Sequence, residues 1–518
     1  MRWYEKTWAV LVVGLGIVLG IFATRGLPLP HYDDMAFVGV AINLAREGTL
    51  ENPFIADWQA HFFGTTKSYW YVPGYFYLLA FWLKIAGIST LSLLAFQWLF
   101  YAIGAVAFGA LVRKYAVPEA ICVLCALIVP WVLLRGGLRP DATGFALLFS
   151  GLAVLDFSRL WKTLAGFLLV AGAALVCPHV IIPFVPLVWA EFVRQQSCPP
   201  ALPAGCEEQT ARFASGDAPA DILREEGLPD TVLEKKPAAR PGEQMIGNAI
   251  NAGVVAALFG VLALWGMVRG DLSAFAEVFN AHRAMRLEAN PFWNLVTFVA
   301  KLTFDYEPFQ SLLVFLVFAV VYWEVRRDDG LFPPRARLLL LGLFRALLCF
   351  AAFSPAWAKH FMDLFQWPGV LIYCSRQFPL SRQTAAFVIG LALISQGFYT
   401  LENFGRVAPQ ESLKKLHASF DPRLPVVFDA SSARFVFDYQ LQPSARYYNY
   451  LVDSRSFPGE SSRRQTIWVL NRVYGGKAIW FTEKTWSSHL EPFQPLQALG
   501  ITFNLIPRSL YEPLVITY

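Results

Sequence analysis

The sequence predicts a polytopic α-helical membrane protein carrying a small soluble α/β domain after its last membrane helix, and three observations predict it. Hydrophobic residues make up 56% of the 518 residues and charged residues only 16%, against about 25% charged in ordinary globular domains. Apolar runs of helical length recur through residues 1–401, most of them bounded by Arg, Lys, Pro or Gly. Beyond residue 402 the texture changes to short β-rich runs separated by turn residues. A mean hydropathy of +0.44 does not suit a water-facing surface. The net charge of +5 is small and spread along the chain, so no nucleic-acid partner is expected. The same composition excludes a disordered chain, a collagen-like repeat and a disulfide scaffold.

The elements follow in order. A short basic start precedes an uncharged run from Thr7 to Thr24. A signal peptide is the competing reading, but no small-x-small cleavage site follows, so a retained first transmembrane helix is expected. Further apolar runs lie near 73–87, 90–112, 119–134, 141–157, 163–191, 246–268, 309–325, 337–353, 362–374 and 384–399, giving about 11 to 13 helices in all. The 163–191 run is interrupted by Cys177-Pro178-His179, which predicts two short helices meeting at a kink. Run ends carrying Arg113-Lys114, Arg159 and Lys162, Arg194, and Arg326-Arg327 are expected in the cytoplasm by the positive-inside rule. Residues 25–72, 270–308, 354–361 and the C-terminal domain then fall on the other side. Three runs between 73 and 134 cannot all cross if both flanks face outward, so one is expected to be re-entrant or a flank is misassigned.

Two segments are not membrane-like. Residues 195–245, rich in Pro, Ala, Glu and Gly, read as a flexible polar loop. Residues 402–518 hold RLPVVFDA, ARFVFDY, QTIWVLN, KAIWFTE, GITFNLI and LVITY with one helical stretch near 487–499, the pattern of a soluble α/β domain. Seven cysteines are sparse and odd in number. Cys122 and Cys125 have CxxC spacing inside the unbroken apolar run ICVLCALIV, where helix packing is the expected role. Cys198 and Cys206 can pair only if their polar loop faces an oxidising compartment.

The first outer loop, 25–72, carries the most chemistry. It opens HYDDMAFVGVAINLAREGTLENPF, with Asp33 and Asp34 just past the first helix and apolar residues at helical spacing behind them. Two adjacent acids there can act as a general base, hold a divalent cation, or simply cap a surface helix.

An acidic pair after the first membrane helix, followed by a surface helix ending in LAREGTL, resembles the membrane-embedded GT-C glycosyltransferases. The similarity is to the branch using dolichyl- or polyprenyl-phosphate sugars, which includes protein O-mannosyltransferases and the aminoarabinose transferase of lipid A. Four further stretches agree in order: YVPGYFYLLAFWLKIAGIS, LRPDATGFALLF, FNAHRAMRLEANPFWNL and AKHFMDLFQWPGVLIY. The resemblance covers most of residues 1–400, whereas 402–518 resembles nothing specific. Asp34 stands where the family commonly has Glu, and Ala36 where the lipid A enzymes have Arg. Cys177-Pro178-His179 occupies a kink that often carries Lys. These departures bear on the donor sugar and the acceptor more than on the reaction class.

The resemblance implies a GT-C-like catalytic module over residues 1–401. Its implied activity moves a sugar from a polyprenyl-phosphate-linked donor to a hydroxyl or amine of a lipid, glycan or protein acceptor on the non-cytoplasmic face, in the plasma membrane of a bacterium. Asp33 is the expected base, with Asp34 second. Lys67, His282, Arg286, Lys359 and His360 are the expected partners of the donor phosphate, against the competing role of lipid-headgroup contact. Tyr69, Tyr71 and Trp293, with Trp70, are expected to pack sugar or lipid, against the default of an interfacial aromatic belt. Arg139 and Asp141 either belong to the site or pair at a helix start. No cofactor is expected beyond a divalent cation that the acids can hold. The rival class is a transporter or flippase of lipid-linked glycans, which calls for titratable residues in mid-membrane; a silent scaffold has no physical need of the acidic pair.

Overall fold

The apolar runs fold into fourteen α-helices among the residues that the computed structural model describes, which are 3–28, 32–52, 64–197, 241–286, 290–304, 308–326 and 334–377, with Leu441 and five short strands beyond them. In order the helices are α1 Trp3–Arg25, α2 Tyr32–Glu47, α3 Gly74–Ala86, α4 Thr90–Arg113, α5 Glu119–Leu133, α6 Asp141–Val154 and α7 Leu160–Val176. They continue as α8 Ile181–Ser197, α9 Pro241–Met267, α10 Leu272–Arg286, α11 Pro291–Phe304, α12 Pro308–Arg326, α13 Pro334–Phe353 and α14 Pro355–Gln377. The predicted kink is a short 3-10 turn, Pro178–Val180, between α7 and α8. The expected polar loop within 195–245 has its core, 198–240, outside the described residues, as do Cys198, Cys206, the 384–399 run and the 487–499 stretch.

Among the described residues, five segments are long and apolar enough to cross a membrane: Trp8–Arg25, Thr90–Arg113, Glu119–Gly136, Gly242–Met267 and Arg335–Phe353. Their outer surfaces fit that reading. On α9, Ile250, Val254, Leu258, Val261 and Leu262 are each 54% to 66% exposed, an apolar face that water would not tolerate. The interior is sealed by close helix contacts. A Cβ on Gly151 of α6 would meet the Gly166 carbonyl of α7 at 2.8 Å, and one on Gly166 would meet the Gly151 carbonyl at 3.0 Å. Small residues at such a crossing let two backbones touch. Cys122 and Cys125 are buried free thiols within α5, packed in the core.

Polar contacts gather at the two ends of this bundle. At one end Lys114 donates to the carbonyls of Leu152 and Leu155, both at 2.8 Å, and meets Glu191 at 3.3 Å. Glu191, fully buried, also takes Arg194 at 2.6 Å and Gln195 at 2.7 Å. Cations lie over tryptophan rings around the same end: Arg113 over Trp8, Lys162 over Trp161 and Arg345 over Trp189. This is the basic end. The other end carries the turn between α5 and α6, and is the turn end.

The three runs between 73 and 134 sort themselves by these contacts. Helix α4 runs antiparallel to α1, because Trp98 Nε1 donates to the Leu27 carbonyl at 2.8 Å while Arg113 lies over Trp8. Its residues before Trp98 therefore extend past the end of α1 at the turn end. Helix α3 pairs with that extension: Trp82 Nε1 donates to Ser92 O at 2.9 Å, and Gln97 Nε2 to the Tyr75 hydroxyl at 3.1 Å. Both ends of α3 therefore lie at the turn end, and α4 and α5 are the two runs of the three that span the bundle from end to end.

After residue 402 the described residues form five strands, β1 Val426–Phe428, β2 Tyr447–Asn449, β3 Ile479–Glu483, β4 Asn504–Leu505 and β5 Pro513–Thr517, in the order β2-β1-β3-β5-β4. β1 is parallel to β2 and β3, with Val427 opposite Trp480. β5 is antiparallel to β3 and β4, with Trp480 opposite Ile516. The β1, β3, β4 and β5 segments overlap four of the six β-rich runs; β2 falls in none. Near them, Arg46 at the end of α2 donates to the Leu441 carbonyl at 2.5 Å.

The assignment of α3 is checked by single-cysteine labelling at Ile88. Ile88 should be modified from the same side of the membrane as Lys67 and from the side opposite Arg159. Modification from the Arg159 side would mean that α3 crosses.

Candidate functional site at the turn end

The turn Leu134–Pro140, sequence LRGGLRP, is built to bend sharply. Pro130 sits inside α5, a 3-10 turn Leu134–Gly136 follows, and Gly137 adopts φ 62 and ψ −137, a backbone conformation that side chains disfavour. Pro140 then precedes Asp141 in the first turn of α6, where an acid complements the helix dipole. So compact a turn exposes its own amides and carbonyls, and the neighbouring helices satisfy them.

Each partner comes from a different element. Asp34 Oδ2, in the first turn of α2, accepts the Leu138 backbone N–H at 3.0 Å. Tyr75 of α3 donates its hydroxyl to the Leu138 carbonyl, and Gln97 of α4 donates to the Arg139 carbonyl at 3.4 Å. The Tyr101 hydroxyl lies 3.5 Å from the carbonyls of both Leu133 and Gly137. Arg135 Nη1 meets Asp363 Oδ2 of α14 at 3.0 Å, with the two side chains 7% and 4% exposed. Arg139 pairs with Asp141 at 3.2 Å, and the Cys177 thiol donates to Asp141 Oδ1 at 3.6 Å. Asp34 is completely buried. Its helix is fixed in turn by Asn52, whose amide donates to the carbonyls of Met35 at 3.2 Å and Ala36 at 3.0 Å.

The sequence-derived residues divide into groups. Asp34, Tyr71, Arg139 and Asp141 meet around the turn. Tyr71 is buried with its ring 6.0 Å from that of His179; burial, with Cys177 and Asp141 beside it, holds its phenol well above the ordinary range, so the hydroxyl stays a proton donor. Asp33 occupies the first turn of α2 beside Asp34, and Lys359 and His360 lie within one turn of Asp363 on α14; the side chains of these three lie outside the described atoms.

Lys67 belongs to a second, more exposed patch. It meets Asp271, before α10, at 3.5 Å, with the side chains 45% and 39% exposed. Burial pulls its ammonium down, but Tyr69 and Asp271 together outweigh this and raise it above the ordinary lysine value. Tyr69 is buried and donates to the Val268 carbonyl at 3.3 Å. His282 and Arg286 lie further along α10, their side chains again outside the described atoms. At about 1.5 Å per residue His282 is roughly 16 Å along the axis from Asp271, so Lys67 is not brought to it. Trp293 is 58% exposed beside an equally exposed Phe292. Trp293 is therefore not part of the buried cluster around the turn.

Sequence reading missed the Arg135–Asp363 pair, the Leu138 amide and Cys177 as a donor to Asp141. The first was readable in principle, since opposite charges inside neighbouring apolar runs are expected to find each other. Among the described residues no three His, Cys, Asp or Glu side chains gather into a metal-binding group. No family model and no curated protein matches the chain.

Breaking a buried ion pair from one side leaves an uncompensated charge and costs about 3–5 kcal/mol, whereas replacing both partners with apolar residues is often neutral. Asp363→Leu alone should therefore lower the thermal stability of the protein in detergent markedly, and Arg135→Met with Asp363→Leu should recover most of it. Equal loss in the single and double variants would show that the pair is not the contact that matters.

Proposed function

We propose that the protein is a membrane glycosyltransferase of GT-C type, using a polyprenyl-phosphate-linked sugar at the turn end of the bundle. One observation carries the reading. Three of the stretches that resemble the family, the acidic pair, the Arg-Pro-Asp helix start and AKHFMDLF, meet at one turn through Asp34–Leu138 and Arg135–Asp363. Segments more than 100 residues apart have no local reason to converge there.

The chemistry divides between the two acids. Asp34 is buried and bound to a backbone N–H, so it sets the position of α2. Asp33 takes the proton of the acceptor hydroxyl or amine as that atom attacks the anomeric carbon. The bond from that carbon to the phosphate oxygen breaks, and polyprenyl phosphate leaves with the bonding electrons. Lys359 and His360 stabilise the charge that grows on the phosphate, with His282 and Arg286 as the further cations expected there, while Lys67 stands apart in its own patch with Asp271. A divalent cation, were one bound, would be held by the acidic pair and would help neutralise the phosphate. The basic end faces the cytoplasm by the positive-inside rule, which puts the site and the 402–518 α/β domain on the outer face of a bacterial plasma membrane. The contact of Arg46 with Leu441 supports that common side. A transporter or flippase is favoured less, because the described buried ion pairs sit at the two ends of the bundle.

Asp33→Asn should leave folding intact and reduce transfer by about 10²–10⁴-fold, the usual effect of losing a general base. Asp34→Asn keeps an acceptor for the Leu138 N–H and should lose far less. The reverse pattern would make Asp34 the base, and near wild-type transfer by both variants would sink the reading.

A further inference from the structure

One face of α14 looks onto α5 and the Leu134–Gly136 turn, and it carries Asp363, Gln366, Trp367 and Val370. Asp363 meets Arg135 of the turn, and Trp367 and Val370 pack on Ile128 of α5. Gln366 stands three residues from Asp363 and four from Val370, so it shares this stripe. It is completely buried, yet among the described residues neither its amide nitrogen nor its amide oxygen has a hydrogen-bond partner. The indole Nε1 of Trp367, a residue 1% exposed, has none either. A buried donor or acceptor left unsatisfied is a standing destabilisation that leucine and phenylalanine would remove.

The two helices of this seam are also the ones equipped to part. Pro130 lies inside α5 and Pro368 inside α14, and each deletes one backbone hydrogen bond and permits a local bend. On its other side α14 has no room to move, since Gly369 is pressed against the Phe318 ring of α12 and would not admit even a Cβ.

The groups along the stripe suit one class of ligand. A sugar hydroxyl both donates and accepts, and guanidinium, carboxylate, amide and indole N–H between them offer both. A phosphate would be repelled by Asp363 and could not use the Gln366 carbonyl. We propose that α5 bends away from α14 at Pro130, and that the opened seam binds the hydroxyls of the donor sugar between Gln366, Trp367 and the Arg135–Asp363 pair. This rests on the glycosyltransferase reading and adds to it the place where the sugar is recognised.

The test uses the full chain in lipid nanodiscs, with Gln366→Leu, which nearly keeps size and removes the amide, and Trp367→Phe, which removes the indole N–H together with some volume. Two probes are compared, a long-chain polyprenyl phosphate and the same lipid carrying a hexose or pentose. Unliganded Gln366→Leu should melt at or above the wild-type temperature. Its stabilisation by bare polyprenyl phosphate should be unchanged, while that by the sugar-bearing lipid, and kcat/KM for transfer, should fall about 5- to 10-fold, the scale of one lost hydrogen bond. Full retention of the sugar-dependent stabilisation and of transfer in both variants would overturn the seam and leave the enzyme reading standing. A wild type that neither transfers sugar nor responds to either lipid would overturn both. Should the variants fail to fold, a disulfide between Ile128→Cys and Val370→Cys decides the matter: it should block transfer until reduced, and unimpaired transfer by the cross-linked protein would overturn the proposal.

Discussion

The hydrogen bond from the Leu138 amide to Asp34 ties the outer-loop helix to the membrane bundle, and much of the turn end is arranged by it. A seven-residue turn between two membrane helices has too few partners of its own for its backbone groups. Here α2 supplies a carboxylate, α3 a phenol, α4 an amide and a second phenol, and α14 a carboxylate for the arginine in the turn. Five elements from distant parts of the sequence are thereby fixed relative to one another. The constraint is reciprocal: a buried carboxylate needs a donor as much as the turn needs an acceptor.

The proposed division of tasks between two neighbouring acids rests on this bond. A buried, hydrogen-bonded Asp34 is part of the frame, and the frame presents the residue beside it. The same logic holds at the basic end, where Glu191 gathers Lys114, Arg194 and Gln195 and closes the other face of the bundle. Between these two polar layers the packing is almost wholly apolar and aromatic. The seam of Gln366 and Trp367 is an exception to that pattern, and an exception in a packed interior is where a second conformation or a ligand is expected.

Much of the helical architecture was legible because membrane helices announce themselves by length and apolarity. The kink at Cys177-Pro178-His179 was legible because proline breaks a helix in a known way. The place of α3 was not, since a 13-residue apolar run reads the same whether it crosses or folds back. Only the partners of Trp82, Gln97 and Trp98 separate the two. Strands were easier to find than to bound: β3 lies inside KAIWFTE and β5 overlaps LVITY but starts one residue before it, while β2, Tyr447–Asn449, has no apolar alternation to mark it. Of the candidate site, Asp34, Arg139 and Asp141 could be picked out by residue type near helix starts. Their convergence could not, because it depends on a backbone amide at Leu138 that no side-chain pattern reveals. Trp293 is exposed and apart from the buried cluster, which its place beside a promising motif did not reveal.

The account stands or falls on where a lipid phosphate sits. An electron-microscopy reconstruction of the full chain in nanodiscs containing a long-chain polyprenyl phosphate measures this directly. Phosphate density between the first turns of α2 and α14, within reach of Asp33 and of Lys359 or His360, is the result the account predicts. Density confined to the exposed face of α9 or to the basic end, with the turn end closed and unliganded, would contradict it.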